Sequence, residues 1–117
     1  MIRTLLVIAL LLIGQQAYAA DGFVTGIDDL PLMAGLTAVE TGHVDFDSPG
    51  GRIVISYAKG KTDPAKVTEF YAVTLPQLGW TRTGDTSFRR EGEILHLDYD
   101  ETPPSLTVRF SLTPIQR

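Results

Sequence analysis

The run Asp63–Trp80, DPAKVTEFYAVTLPQLGW, limits the fold more than any other stretch of the chain. Asp63 has the short carboxylate that accepts from the free backbone N–H groups of a first helical turn. Pro64 suits the position after it, where a missing N–H costs nothing and φ is already helical. Counting from Val67, the positions i, i+3, i+4, i+7, i+8 and i+11 fall on Val67, Phe70, Tyr71, Thr74, Leu75 and Leu78; five of these six are apolar or aromatic. That spacing predicts a helix with one buried stripe, with Lys66, Glu69 and Gln77 off it. Pro76 cannot donate to the Ala72 carbonyl and its ring crowds it, so the helix is expected to stop or kink near Leu75. Gly79 can take the left-handed conformation that closes a helix, and Trp80 opens the next element. Phe70, Tyr71 and Trp80 read first as core, with an aromatic-lined ligand pocket between helix and sheet as the alternative.

One helix with one apolar stripe needs a sheet to cover. Val44–Asp47 reads as a short strand, followed by a turn-rich Asp47–Gly51. Arg52–Ala58 is a second strand, with Ile53, Ile55 and Tyr57 on one face and Arg52, Val54 and Ser56 on the other. After the helix come Trp80–Thr83, Ser87–Arg90, Glu93–Tyr99 and Leu106–Thr113, the last alternating cleanly. A two-residue turn at Glu91-Gly92 sets Arg90 opposite Glu93 and Phe88 opposite Leu95. Phe88, Leu95, Leu97 and Tyr99 then share a face. Trp80 joins that face only if the preceding loop is odd, as Gly84-Asp85-Thr86 is. The expected fold is α+β: an antiparallel sheet of five to six short strands with one amphipathic helix on one face, in the order β-β-α-β-β-β-β. The last strand can lie beside the second and close the sheet as 1-2-6-5-4-3. A right-handed crossover that sets Trp80 beside Tyr57 is the alternative.

The chain is 117 residues long, enough for one domain. Its start has the form of a secretory signal peptide: Arg3, an apolar run Leu5–Ile13, and Ala17-Tyr18-Ala19 as the cleavage site. Gly14, Gln15 and Gln16 end that run well short of the roughly 20 residues a membrane span needs. Residues 1–19 are therefore expected to be removed, and export to be periplasmic in a two-membrane envelope or secretory otherwise. Residues 20–36 read as an extended, partly docked arm, broken by Gly22, Gly26, Pro31 and Gly35. Residues 37–117 are the α+β domain. The formal charge is −4, which offers no basic surface for nucleic acid or anionic lipid. With no cysteine, disulfides, thiol nucleophiles and thiolate metal sites are all out.

Several segments together resemble a known group. Pro31-Leu32-Met33-x-Gly35-Leu36, Phe46-Asp47-Ser48-Pro49, Gly51-Arg52-Ile53-Val54, Phe70-Tyr71-x-x-x-Leu75-Pro76-x-Leu78-Gly79-Trp80 and Phe88-Arg89-Arg90-Glu91-Gly92-Glu93 are similar to small exported bacterial proteins of unassigned function. The likeness covers most of residues 20–117. Its FYxxxLPxLGW segment packs a helix against a strand, and the resemblance implies no activity, cofactor or catalytic residue.

Chemistry-bearing residues are sparse. The two histidines are His43, in a loop, and His96, mid-strand on the face away from the helix. Ser56 or Ser111 with His96 and Asp98 would be the only serine triad, but there is no strained nucleophile elbow and His96 and Asp98 sit about 7 Å apart along one strand. Asp45 with Asp47, and Asp98 with Asp100 and Glu101, offer oxygen ligands without the glycine-bearing loop of a calcium site. Arg89, His96 and Arg109 share the outward face, which Arg52 joins if its strand neighbours the last one; that makes a small cationic strip for an acidic partner. Val54 and Ile94 are the apolar residues expected on the same face, which either the arm 20–36 or a partner is expected to cover. No phosphate-binding glycine motif occurs. The expected function is thus a non-catalytic envelope module that binds another protein through its open sheet face or an edge strand, with no cofactor. A small lipid or metabolite carrier, with Phe70, Tyr71 and Trp80 lining its pocket, is the alternative. A hydrolase ranks third.

Overall fold

The computed structural model describes residues 22–115; the signal peptide read from residues 1–19 lies outside them. A loop 22–35 leads into β1 (Leu36–Ser48) and β2 (Gly51–Gly60), then helix α1 (Pro64–Gln77), then β3 (Thr81–Arg82), β4 (Ser87–Arg90), β5 (Glu93–Thr102) and β6 (Ser105–Pro114). The strands form one antiparallel sheet in the order β1-β2-β6-β5-β4-β3. The fold is α+β, and the last strand lies between the second and the fifth.

The helix begins as its sequence dictates. Asp63 is extended and its carboxylate accepts from the Lys66 N–H at 3.0 Å, with Pro64 at the first helical position. It ends later than the proline predicts, at Gln77. Only the bond to Ala72 is lost there, and the end is rebuilt by Leu78 and Trp80 N–H groups that both donate to the Leu75 carbonyl, at 2.9 and 3.1 Å. Gly79 supports this with φ +93°. The buried stripe is narrower than expected: Val67, Tyr71 and Leu75 are fully covered, Phe70 is partly covered and Leu78 is exposed.

Register carries the sheet. Phe88 faces Leu95, Arg90 faces Glu93 and Arg82 faces Phe88. The turn between β4 and β5 holds Glu91 at φ +46° and Gly92 at φ +83°, the paired left-handed conformations that a two-residue hairpin needs. Trp80 is buried, as its parity requires, and the Arg90 guanidinium lies 4.3 Å from its ring centroid. The helix-side face is made of Phe88, Leu95, Leu97, Leu106, Val108, Phe110 and Leu112.

Three expectations need correction. First, β1 runs over 13 residues rather than Val44–Asp47. A bulge shifts its register between Val39 and Val44, which breaks the period-two pattern by which a strand is read. Gly42 sits in the bulge at φ +85°, with the Tyr57 ring 2.9 Å from where a Cβ would stand. Second, β2 presents Val54, Ser56 and Ala58 to the helix side, opposite Leu112, Phe110 and Val108. Ile53, Ile55 and Tyr57 point outward, so Val54 is not an outer-face residue. The more apolar row of β2 thus faces outward, and the row of smaller side chains, Val54, Ser56 and Ala58, leaves room for what covers it.

Third, that cover is the loop 22–35, which is not extended. It doubles back through a Phe23–Pro31 bridge, with the Val24 N–H donating to Leu30 O and the Leu32 N–H to Gly22 O, both at 2.8 Å. Val24, Ile27, Leu30 and Leu32 are buried beside the helix, on the same face of the sheet. Ser56 Oγ donates to Thr25 O, and Gly26 lies against Val54, leaving no space for a Cβ. Tyr71 ties the layers: its hydroxyl donates to Pro31 O at 2.8 Å and accepts from the Met33 N–H at 3.3 Å. Its ring meets Phe110 edge to face at 5.6 Å. Burial pushes the phenol well above its ordinary range, so it remains a donor.

Tyr71→Phe should therefore lower the unfolding free energy by about 1–2 kcal/mol, because two partly buried backbone groups of the loop lose their partner. Urea denaturation reads the change, and limited proteolysis should show earlier cutting within 22–35. An unchanged midpoint would contradict the docked loop. Val54→Thr, a swap of similar volume, should cost about 1–3 kcal/mol by burying a hydroxyl, whereas Phe46→Ser should stay within about 0.5 kcal/mol.

Candidate functional site: the open sheet face

Helix and loop both lie on one side, so the other face of the sheet is bare among the described residues. It has two halves. On β1 and β2, Val44 pairs with Ile55, Phe46 with Ile53 and Val39 with Tyr57. Alternation along paired strands puts these six side chains in one apolar field. Ile53, Ile55 and Tyr57 are half-buried by neighbours, while Val44 and Phe46 are 38% and 50% exposed.

The other half is polar and hydrogen-bonded. The expected Arg89, His96 and Arg109 are all on this face, opposite Ile94, Ser111 and Tyr57 respectively. They do not form a cationic strip. Asp98 accepts from His96 Nε2 at 3.1 Å and from Arg109 at 3.5 Å, and so links the two. Arg89 is exposed and makes no ion pair among the described residues. Arg52 has the helix-side parity of Val54 and turns to Glu93 at 3.8 Å and to Gly26 O at 3.4 Å. The neighbouring strand is the right one, but the parity excludes Arg52 from the strip.

Ser87 is the residue that sequence reasoning missed. It stands opposite His96, and its hydroxyl lies 2.8 Å from His96 Nδ1. An ionised Asp98 can only accept, so Nε2 carries the ring proton and a neutral His96 takes the Ser87 O–H on Nδ1. The Glu91-Gly92 register already implied this pairing. Ser56 is instead buried on the other side, bonded to Thr25 O and to His43 Nδ1 at 2.7 Å. Ser111 lies between β5 and β2 with its Oγ buried and unpaired. Ser87, His96 and Asp98 thus have the connectivity of a relay. They sit on an open strand surface and line neither the groove between α1 and the loop 22–35 nor the shallower one between α1 and the β3–β4 turn. A serine hydrolase also needs donors placed for the oxyanion and a cleft that holds the acyl group.

The pocket expected around Phe70, Tyr71 and Trp80 is not between helix and sheet, because Tyr71 and Trp80 fill that interface. A groove of about 760 Å³ opens instead between the loop 22–35 and the exposed flank of α1. Phe23, Pro31, Phe70, Val73 and Leu78 line it, with Phe23 62% and Val73 59% exposed. Of the three expected residues only Phe70 reaches it. One end is held by Asp29, whose carboxylate accepts two bonds from the Arg90 guanidinium, the shorter 2.7 Å. That bond lowers the Asp29 pKa and raises that of Arg90.

Asp45 with Asp47 and Asp98 with Asp100 and Glu101 do not become metal cages: among the described residues no three of His, Asp or Glu converge. No helix among these residues is long and apolar enough to cross a membrane. No family model matches the chain, no curated protein matches it, and no solved structure matches its fold.

Asp29→Asn tests how the loop is tethered beside the groove. A carboxyl whose pKa is lowered on folding stabilises the folded state above its unfolded pKa, and loses that contribution as pH falls through the folded value. The pair is partly exposed and screened by solvent, so the substitution should cost about 0.5–1 kcal/mol at neutral pH and low salt. The difference from the parent should shrink as pH falls below the ordinary carboxylate range and vanish once Asp29 is protonated in both states. Urea titrations across a descending pH series read it.

Proposed function

We propose that this chain is an exported, non-catalytic module that binds another envelope protein through its open sheet face. The observation that carries the reading is the apolar field of β1 and β2, in which Val44 and Phe46 stand exposed beside Ile53, Ile55 and Tyr57. Contiguous apolar surface rimmed by polar groups is what a protein-binding face presents. The polar half supplies that rim, with Arg89 and Arg109 as charged groups able to orient a partner. Export is supported by the Leu5–Ile13 run and the Ala17-Tyr18-Ala19 site. The FYxxxLPxLGW likeness to small exported bacterial proteins points the same way.

A photo-crosslinking side chain at position 46, in cells that export the protein, should give one discrete high-mass adduct. The same group at position 61, in the exposed turn before α1, should give none. Equal labelling at both positions, or none at 46, would overturn the reading.

The groove beside α1 favours a second function, a carrier of a small apolar ligand such as an acyl chain. Trp80 is buried away from the groove, so its emission is a poor reporter. A fluorescent fatty acid is the better probe: Val73→Asp should weaken its binding at least about tenfold, since a charge would have to be buried against the ligand. Phe46→Ser should leave that binding unchanged. Absence of binding to the parent protein would remove the carrier reading alone.

A further inference from the structure

The two ends of the sheet are unequal. β3 offers only Thr81 and Arg82, whereas β1 offers 13 residues, with β2 on one side and no strand on the other among the described residues. A long unpaired strand edge is a template for another strand, because its outward N–H and C=O groups lack ladder partners. The stretch beyond the bulge, Val44–Ser48, is in regular register with β2.

Its two faces differ in chemistry. Val44 and Phe46 lie on the open face, while Asp45 and Asp47 have the opposite parity, facing Val54 and Arg52 across the ladder. Neither Asp45 nor Asp47 makes an ion pair among the described residues, since Arg52 is turned to Glu93. β1 also carries Glu40 and contains no Lys or Arg.

A second copy is a poor occupant of this edge. Antiparallel self-pairing would set Asp45 and Asp47 against the same carboxylates of the other chain, and like charges across a ladder destabilise it. Acidic side chains on an edge also serve simply to prevent such pairing. That role does not require the exposed Val44 and Phe46 on the alternate positions. An edge closed to its own kind by charge is open to the opposite charge.

We propose that Val44–Ser48 is a docking edge for an extended segment of another protein in which basic and apolar residues alternate. The segment adds to the sheet beside β1. Its Lys or Arg side chains lie beside Asp45 and Asp47, and its apolar side chains extend the Val44 and Phe46 field. Backbone pairing supplies affinity and the two alternating rows supply specificity. The inference rests on the interaction-module reading and adds to it the edge, the strand mode and the charge of the partner.

The probe is a terminally blocked heptapeptide of alternating Lys and Val, tested by fluorescence anisotropy at low salt. Controls are an alternating Glu and Val peptide and a block-order isomer with its lysines first and valines last. The alternating Lys peptide should bind at least about tenfold tighter than either. The double variant Asp45→Asn, Asp47→Asn removes only exposed charge. It should weaken that peptide about 2- to 30-fold, the range of two cross-strand charge pairs. Hydrogen exchange should show protection gained in Val44–Ser48 and none in Thr81–Arg82. Equal binding of the block isomer, or binding without protection in β1, would overturn the proposal. So would β1 protection that rises with protein concentration and no peptide, because a second copy would then hold the edge. If the position-46 adduct persists while β1 gains no protection, the interaction module stands and the strand edge fails. If the adduct is lost while the alternating peptide still protects β1, the reverse holds.

Discussion

Tyr71 is the point through which the three layers are joined. Its ring packs edge to face on Phe110 of the central strand β6 and on Phe70 of its own helix. Its hydroxyl reaches past the helix to two backbone groups of the loop 22–35. One side chain therefore fixes how far the helix sits from the sheet and where the loop must run. A buried phenol with both hydrogen-bonding roles satisfied is stable only in that one arrangement, since each partner left unpaired costs about 1–3 kcal/mol. The chain has no cysteine to cross-link these layers, so packing and such buried contacts hold them.

From that anchor follows the division of the sheet. The helix covers the β6-β5-β4 side, and the loop covers β2 and part of β1. The loop packs directly on the small side chains of β2, with Gly26 against Val54 and Thr25 O accepting from Ser56 Oγ, while Ile53, Ile55 and Tyr57 point outward. The apolar residues that the loop displaces to the outer face become the surface on which the functional reading depends. Their exposure is a consequence of the same packing that stabilises the fold.

The polar half of that face is hydrogen-bonded within itself. Ser87, His96, Asp98 and Arg109 form one hydrogen-bonded chain across three strands. On the reading proposed above, polar groups already bonded to one another beside an apolar field have less side-chain entropy to lose when a partner arrives. The groove beside α1 differs in kind: it is concave, mostly apolar and bounded by a loop that one ion pair and Tyr71 tether. These two surfaces are on opposite sides of the sheet and need not serve the same partner.

Much of this was written locally in the chain. The Asp63-Pro64 cap, the helical spacing after Val67, the Glu91-Gly92 turn and the odd Gly84–Thr86 loop each rest on neighbours within a few residues. Together they set the helix, the register of β3, β4 and β5, and the inward side of Trp80. The outward placement of Arg89, His96 and Arg109 followed from the same parity. What the sequence left open depended on contacts between distant residues. The bulge at Gly42 erased the alternation by which β1 would be read. The choice between the two rows of β2 was made by its pairing with β6 and by the loop above it. The loop's own course was decided by Tyr71, some forty residues away. Local patterning determines which residues share a face; only packing between elements determines which face is covered, because that is where the free energy of burial is gained.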